Sequence, residues 1–256
     1  MIKNSFIFLP SISSNKENKL WMLNIKTWDD FISLKRINGI SAEKKEIYDK
    51  KIIEAKNELI NDEMKLFMKF PSKETWRLYN YLKDEALFLD IEIGRNPKDI
   101  ILIGMYDGIN TKVMVKNYNM DKNIFLNELK KYKLLVTYNG KSFDAPAIEK
   151  YFGIKLNLPH IDLKYCCSKL KIGNGLKNVE LNLNLKRPQN LYGKPYDVYK
   201  AFLAPGDREY LDFLIKYNEE DIVNLKPIME YCFNNLKSNC MVYIPFARTL
   251  KPSGLS

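Results

Sequence analysis

The amino-acid sequence predicts an α/β fold, with a mixed five-stranded sheet flanked by helices and a helical region at the N-terminus. Three short apolar segments joined by turn signals follow one another between residues 87 and 116, which indicates three antiparallel strands. A helical segment separates them from a fourth apolar segment, so this strand is expected to run parallel to the first. Hydrophobic residues make up 46% of the chain and charged residues 28%, as in ordinary globular proteins.

The chain is expected to contain two parts. Residues 1–84 are predicted to form the N-terminal helical region, and residues 85–256 the main domain. In the first part, a long helix is expected over residues 42–69, because Ser41 is a suitable N-cap and Pro71 cannot continue a helix. A second helix is expected to follow that proline.

Before the long helix, two short helices over residues 15–22 and 27–31 are expected to form a hairpin. This hairpin resembles a helix-hairpin-helix element, in which glycines allow backbone amides to approach DNA. Ser11, Ser13 and Asn24 stand where those glycines are expected; asparagine tolerates a left-handed backbone, whereas serine does so poorly. DNA contact and a purely structural role therefore both remain open for the hairpin.

In the main domain, short apolar segments bounded by turn residues predict the strands. They cover residues 87–94, 100–106, 112–116, 134–138 and 159–163. Helices are expected after Asp121 as far as residue 132, over residues 145–151, and over residues 207–236. Pro227 is expected to kink or break the last of these.

Two carboxylates, Asp90 and Glu92, interrupt the first apolar strand. Residues two apart project from the same face of a strand. Burying unpaired carboxylates is costly, and two on one face also repel each other. We therefore expect positive charge between them, either from lysine or arginine side chains or from divalent metal ions. The alternative is that one of the two lies at the strand end and faces water.

Two further stretches contain candidate functional residues. The fourth strand leads into the loop of residues 139–144, and loops at the carboxyl ends of such strands often bind ligands. In the last helix, Tyr217 and Asp221 are four residues apart and share one face. Taken separately, Asp144 is a suitable helix cap, and Tyr217 with Asp221 an ordinary surface pair.

Three motifs, in this order, carry a resemblance to a known family: Asp90-x-Glu92, Asn139-x-x-x-Phe143-Asp144 and Tyr217-x-x-x-Asp221. Together they resemble the DEDD-type 3′–5′ exonucleases of the ribonuclease H-like superfamily, and in particular its stand-alone archaeal and bacterial branch. The resemblance covers about residues 86–236 and implies a ribonuclease H-like mixed sheet. It also implies hydrolysis of phosphodiester bonds in single-stranded DNA or RNA from the 3′ end.

The resemblance implies that four carboxylates hold two divalent metal ions: Asp90, Glu92, Asp144 and Asp221. Oxygen ligands of this kind favour Mg²⁺ or Mn²⁺ over zinc. Tyr217 matches the fifth catalytic residue of the tyrosine subtype, since Lys216 stands where the histidine subtype needs its histidine. A free tyrosine loses its proton near pH 10, so the expected role of Tyr217 is to orient the attacking water.

Asn139, Lys141 and Phe143 are the candidates for binding the terminal nucleotides. Phe143 either stacks on a base or packs in the core, and Lys177 either binds phosphate or is an ordinary exposed lysine. The formal net charge of +10 agrees with a polyanionic partner, although solubility alone also explains it. Aromatic stacking and a basic groove bind single strands with little sequence preference.

Other functions remain open at this point. The chain is alternatively a nucleic-acid-binding module without activity, a scaffold in a repair or processing complex, or an endonuclease. All five positions of the motif set are present, which argues against loss of activity.

A zinc site has little support, because the four cysteines form no Cys-x-x-Cys pair and His160 is the single histidine. His160 is instead expected to make a structural hydrogen bond near the fifth strand. The apolar run at the N-terminus is too short for a signal peptide or a membrane span. We therefore expect a reduced, cytoplasmic protein that does not act at a membrane.

Overall fold

A computed structural model describes residues 1–61, 63, 65–96, 99–186, 195–203 and 208–241 of the chain. The strands are β1 (Ala86–Ile93), β2 (Ile100–Tyr106), β3 (Thr111–Val115), β4 (Leu134–Thr137) and β5 (His160–Asp162). The helices before the sheet are α1 (Ser14–Met22), α2 (Trp28–Ser33), α3 (Ala42–Ile60), α4 (Lys65–Met68) and α5 (Tyr79–Leu82). The later helices are α6 (Lys122–Leu129), α7 (Asp144–Phe152), α8 (Leu163–Leu170), α9 (Leu176–Asn182), α10 (Pro195–Leu203) and α11 (Arg208–Met241).

The five strands form one mixed sheet in the order β3-β2-β1-β4-β5. β1, β2 and β3 are antiparallel neighbours, whereas β4 runs parallel to β1, and β5 parallel to β4. The predicted mixed five-stranded sheet is therefore confirmed, including the parallel direction of the fourth strand. β1 lies at its centre.

Both faces of β1 are covered, because its side chains alternate between two hydrophobic cores. Ala86 and Phe88 face a core shared with the N-terminal helices, α8 and α11. Leu87, Leu89 and Ile91 face the other core, to which α6 and α7 contribute. Asp90 and Glu92 follow Phe88 by two and four residues. Because side chains alternate along a strand, they lie on the same face as Phe88, which α11 covers.

The N-terminal region packs directly against the sheet through a shared core and a buried ionic cluster. Arg77, 2% exposed, contacts the carboxylates of Glu17 at 2.9 Å and Glu74 at 2.8 Å. Glu74 also contacts Lys169 of α8 at 3.0 Å. Removing one partner from a buried ion pair leaves the other charge uncompensated, which is strongly destabilising. The division of the chain at residue 84 stays a prediction.

Two helix predictions in this region were wrong in their lengths. Instead of the single helix expected over residues 42–69, α3 ends at Ile60 with Asn61 as its C-cap, and α4 is a separate short helix. Leu66 and Phe67 of α4 are fully buried. The helix expected after Pro71 consists of short 3₁₀ turns around α5.

In the main domain, α11 continues through Pro227 without a break, whereas a kink or break was expected. α8, α9 and α10 were not predicted from the sequence. All three are at most nine residues long, so each contains too few apolar residues to show a clear helical period.

The hairpin of α1 and α2 adopts the left-handed backbone at two of the three positions where glycine was expected. Ser11 has φ of 59° and Asn24 has φ of 64°, whereas Ser13 is extended and caps α1. Its contact with DNA stays a prediction. The left-handed serine is strained, because its Cβ crowds the backbone in that conformation.

We expect Ser11→Gly to stabilise the protein by about 0.5–1 kcal/mol, because relief of that strain exceeds the entropy glycine adds to the unfolded chain. The melting temperature should rise by about 1–4 °C in a thermal unfolding experiment. Ser13→Gly is the matched control, since Ser13 has φ of −91° and gains nothing from glycine. A lower melting temperature for Ser11→Gly than for the native chain would contradict the expectation.

Candidate metal centre

Three carboxylates from β1 and α11 converge in the structure. Asp90 and Glu92 are half-buried on β1, and Asp221 is buried on α11. One carboxylate oxygen from each lies within 4.8 Å of the others, a spacing at which one cation contacts all three. The side chains that the sequence predicted to lie together are thus neighbours.

Asp144, the fourth predicted ligand, lies beside this group. It begins α7 and is 3% exposed, and its Oδ1 accepts a hydrogen bond from the Ile91 amide at 3.1 Å. Pairing between β1 and β4 ends at Phe88 with Val136, so the Ile91 amide lies beyond that ladder and donates to Asp144 instead. The backbone amide between Asp90 and Glu92 therefore holds Asp144 next to the group, although its oxygens are not among those within 4.8 Å of one another.

Burial and nearby negative charges make two of these carboxylates, Glu92 and Asp144, hard to ionise. Burial raises the pKa of Glu92 to about 8, and the negative charges of Asp221 and Asp144 add to the increase. Burial also raises the pKa of Asp144 to about 7, with a contribution from the charge of Asp162. A divalent cation would remove this cost by neutralising the charges, so the donor set fits a metal of the Mg²⁺ or Mn²⁺ type.

Tyr217 and Lys177 lie at one side of the centre. Tyr217 is 9% exposed and precedes Asp221 by one turn of α11. The Nζ atom of Lys177, near the start of α9, is 5.8 Å from the centre of the Tyr217 ring. The positive charge of Lys177 also lowers the pKa of Glu92 in opposition to burial. Lys177 is an exposed side chain, and it faces the centre.

The loop after β4 is held by Asp162, a residue to which no role was assigned from the sequence. Its Oδ1 accepts from the Asn139 amide at 2.8 Å, and its Oδ2 from the Lys141 amide at 3.2 Å. It also caps α8 through the Lys164 amide at 3.0 Å. An acid directly after a strand and before a helix was the available signal.

The three predicted substrate-binding side chains have different environments. Asn139 accepts a hydrogen bond from Lys164 Nζ at 3.0 Å through its Oδ1. Lys141 donates to the carbonyl and hydroxyl oxygens of Ser72 at 3.1 and 3.0 Å. Phe143 is 39% exposed, so its ring lies at the surface and not in the core.

His160 forms the structural hydrogen bond that was expected. Its Nε2 lies 2.8 Å from the Thr137 hydroxyl, which also accepts a hydrogen bond from the Gly140 amide at 3.1 Å. Burial lowers the pKa of His160 to about 3, so the imidazole is neutral at physiological pH. The bond ties β5 to the end of β4.

Comparisons with known proteins match the main domain. A family model described as the RNase H superfamily matches residues 87–233, more than half of the chain. No curated protein sequence matches significantly. Among solved structures, a family B DNA polymerase from the hyperthermophilic archaeon Pyrobaculum calidifontis aligns with 16% identity and a TM-score of 0.47. That alignment covers 57% of this chain and 24% of the polymerase.

Among the described residues, no helix has both the length and the apolar composition that crossing a lipid bilayer needs.

The raised pKa values predict that the metal-free protein loses stability as the pH rises. Glu92 and Asp144 bind protons more tightly in the folded than in the unfolded state. Their proton binding therefore adds to the free energy of unfolding, and this stabilisation is complete below about pH 4. The stabilisation is lost as the pH rises through about 7 to 8, where the folded-state carboxyl groups ionise. In EDTA at pH 8, Glu92→Gln should therefore stabilise the protein by on the order of 1–3 kcal/mol, and by less at pH 5.

Thermal unfolding in EDTA at both pH values measures this difference. Glu54→Gln makes the same chemical change at an exposed position of α3 and should leave the melting temperature nearly unchanged. A melting temperature of Glu92→Gln below that of the native chain at pH 8 would show that burial and the charges of Asp221 and Asp144 do not destabilise the Glu92 carboxylate.

Proposed function

Because the chain belongs to the RNase H superfamily, we propose that it is a divalent-metal-dependent 3′–5′ exonuclease acting on single-stranded nucleic acid. The observation that carries the proposal is the convergence of Asp90, Glu92 and Asp221 within 4.8 Å, with Asp144 beside them. Carboxylates concentrated in this way suit binding of divalent cations and transfer of phosphoryl groups.

In the proposed mechanism, four side chains would hold two ions of Mg²⁺ or Mn²⁺: Asp90, Glu92, Asp144 and Asp221. When bound, such ions would lower the pKa of water so that hydroxide forms near neutral pH, and would neutralise negative charge that develops on the phosphodiester oxygens. Tyr217, which is 9% exposed and precedes Asp221 by one turn, would orient that water through its hydroxyl group. With Tyr217 in this role, the proposed enzyme would be an exonuclease of the tyrosine subtype.

Lysines around the centre support a nucleic-acid substrate. Within the described part of the chain, Lys164 and Lys177 form no ion pair with a carboxylate, so their charge is available to phosphate groups. Among the same residues, Lys141 also lacks such a pair, but it is bonded to Ser72, and burial lowers the pKa of its ammonium group. We propose that Lys177 contacts phosphate at one side of the carboxylates. On the other side, Asn139 and Lys141 contact the terminal nucleotides.

Phe143 provides an aromatic surface in the same loop. Because 39% of the side chain is exposed, the ring is available for a base to stack on without rearrangement of the core. Stacking and phosphate contacts do not distinguish bases, so we propose binding with little sequence preference. Discrimination between DNA and RNA would require contacts to the 2′-hydroxyl group.

The direct test is a time course with matched 5′- and 3′-labelled DNA and RNA oligonucleotides in Mg²⁺ or Mn²⁺. A 3′–5′ exonuclease shortens the 5′-labelled strand stepwise and releases a 3′ label at once. Persistence of circular single strands excludes an endonuclease. Binding of the oligonucleotides without turnover in any of these ions would instead favour a non-catalytic binding module.

We expect Asp90→Asn and Asp221→Asn to reduce cleavage by at least about 10²-fold, because each removes a negative charge from the metal site and preserves the side-chain shape. Asp212→Asn is the matched control, as Asp212 is an exposed residue of α11. Circular dichroism verifies folding of all three proteins. Native rates in both site variants would refute the metal assignment.

We also expect Tyr217→Phe to lower the single-turnover rate about 10–100-fold, because the water loses its orienting hydrogen bond, while substrate affinity stays unchanged. The change preserves the aromatic ring beneath Lys177. Tyr210→Phe, at an exposed position of α11, serves as the control. If Tyr217→Phe cleaves at the native rate, Tyr217 has only a packing role.

A further inference from the structure

Asn218 of α11 is a fully buried amide directed at the carboxylate centre. It is 0% exposed, and its Nδ2 donates a hydrogen bond to Asp90 Oδ2 at 3.0 Å. It follows Tyr217 in the sequence, precedes Asp221 by three residues, and has the buried apolar residues Leu214 and Ile222 one turn away on either side. Burying an amide at such a position costs free energy unless its polar atoms are hydrogen-bonded.

Gly104 of β2 provides the space that this amide occupies. It lies directly opposite Asp90 in the antiparallel ladder, so a side chain there would project on the same face as Asp90. A Cβ atom at Gly104 would lie only 1.7 Å from Asn218 Oδ1. The backbone of Gly104 is not left-handed, so the need for glycine comes from the close approach of Asn218.

The orientation of the amide follows from the chemistry of its neighbour. An ionised carboxylate only accepts hydrogen bonds, so the Nδ2 group of Asn218 must face Asp90. Asn218 Oδ1 then lies against Gly104, and no hydrogen-bond donor reaches it from the described residues. A buried acceptor without a donor is destabilising, so stability alone would favour an apolar residue at this position.

We infer that Asn218 is a positioning residue for the metal centre, and that Gly104 makes this role possible. The inference rests on the proposed function, because it assumes that Asp90 binds a metal ion. With Oδ2 held by Asn218, the Asp90 carboxylate cannot rotate freely, so less conformational freedom is lost when the ion binds. Residues that orient a ligand in this way contribute about 10–100-fold to metal affinity.

The test measures Mn²⁺ binding by calorimetry and by the electron paramagnetic resonance of free Mn²⁺, without nucleic acid. Asn218→Leu keeps the number and branching of the side-chain heavy atoms and removes the hydrogen bond. We expect it to bind Mn²⁺ about 10–100-fold more weakly, while its melting temperature in EDTA equals or exceeds that of the native chain. Native Mn²⁺ affinity in this variant would overturn the inference.

Asn224→Leu is the matched control on the same helix. Asn224 is also buried and donates to a carboxylate, that of Glu180, at 2.9 Å. Its replacement should lower the melting temperature and leave Mn²⁺ affinity unchanged. If it weakens Mn²⁺ binding as much as Asn218→Leu does, the effect is general to α11 and the inference is wrong.

Gly104→Ala tests the same contact from the sheet. The added methyl group should displace the amide from Asp90, so that Mn²⁺ affinity and melting temperature both fall. In the double variant Gly104→Ala with Asn218→Ala, the clash disappears and the melting temperature should recover, whereas Mn²⁺ affinity should stay low. Recovery of both would overturn the positioning role.

Mn²⁺ binding by the native chain distinguishes a failure of this inference from a failure of the proposed function. If the native chain binds no Mn²⁺, the metal site itself is refuted and the inference with it. If the native chain binds Mn²⁺ and the Asn218 and Gly104 variants bind it equally well, the metal site stands and only the inference is overturned.

Discussion

The carboxylates gathered between β1 and α11 set the constraint on which the rest of the structure depends. Asp90, Glu92 and Asp221 bring their oxygens within 4.8 Å of one another, and Asp144 lies beside them. Like charges at such distances in a partly dehydrated site repel strongly, and the raised pKa values of Glu92 and Asp144 reflect burial together with repulsion. A folded chain keeps such a cluster only when the surrounding scaffold compensates for its cost.

That scaffold is built around the central strand. β1 is paired on both edges and packed on both faces, so the backbone that carries Asp90 and Glu92 has little freedom to relax the repulsion. The N-terminal helices contribute to the same core, and Arg77 with its buried partners connects them to α8. Regions far from the centre in sequence therefore contribute to the rigidity that the centre requires.

Polar residues around the centre position the backbone and the ligands and need not contact a substrate. Asp162 holds the loop after β4, His160 ties β5 to Thr137, and Asn218 holds Asp90. Each is buried or half-buried and satisfies a specific donor or acceptor. Such buried contacts fix geometry because the alternative, an unpaired polar group in the core, is costly.

The sequence by itself determined the features that depend on local periodicity: the apolar strands, the shared face of Asp90 and Glu92, and the one-turn spacing of Tyr217 and Asp221. Only the tertiary structure decided that α3 ends at Ile60 and that a separate helix, α4, follows it. The same is true of the contacts between Lys141 and Ser72, and between Asn218 and Asp90. The partners in these contacts are 69 and 128 residues apart, and no local pattern encodes a distance that exists only after the chain has packed.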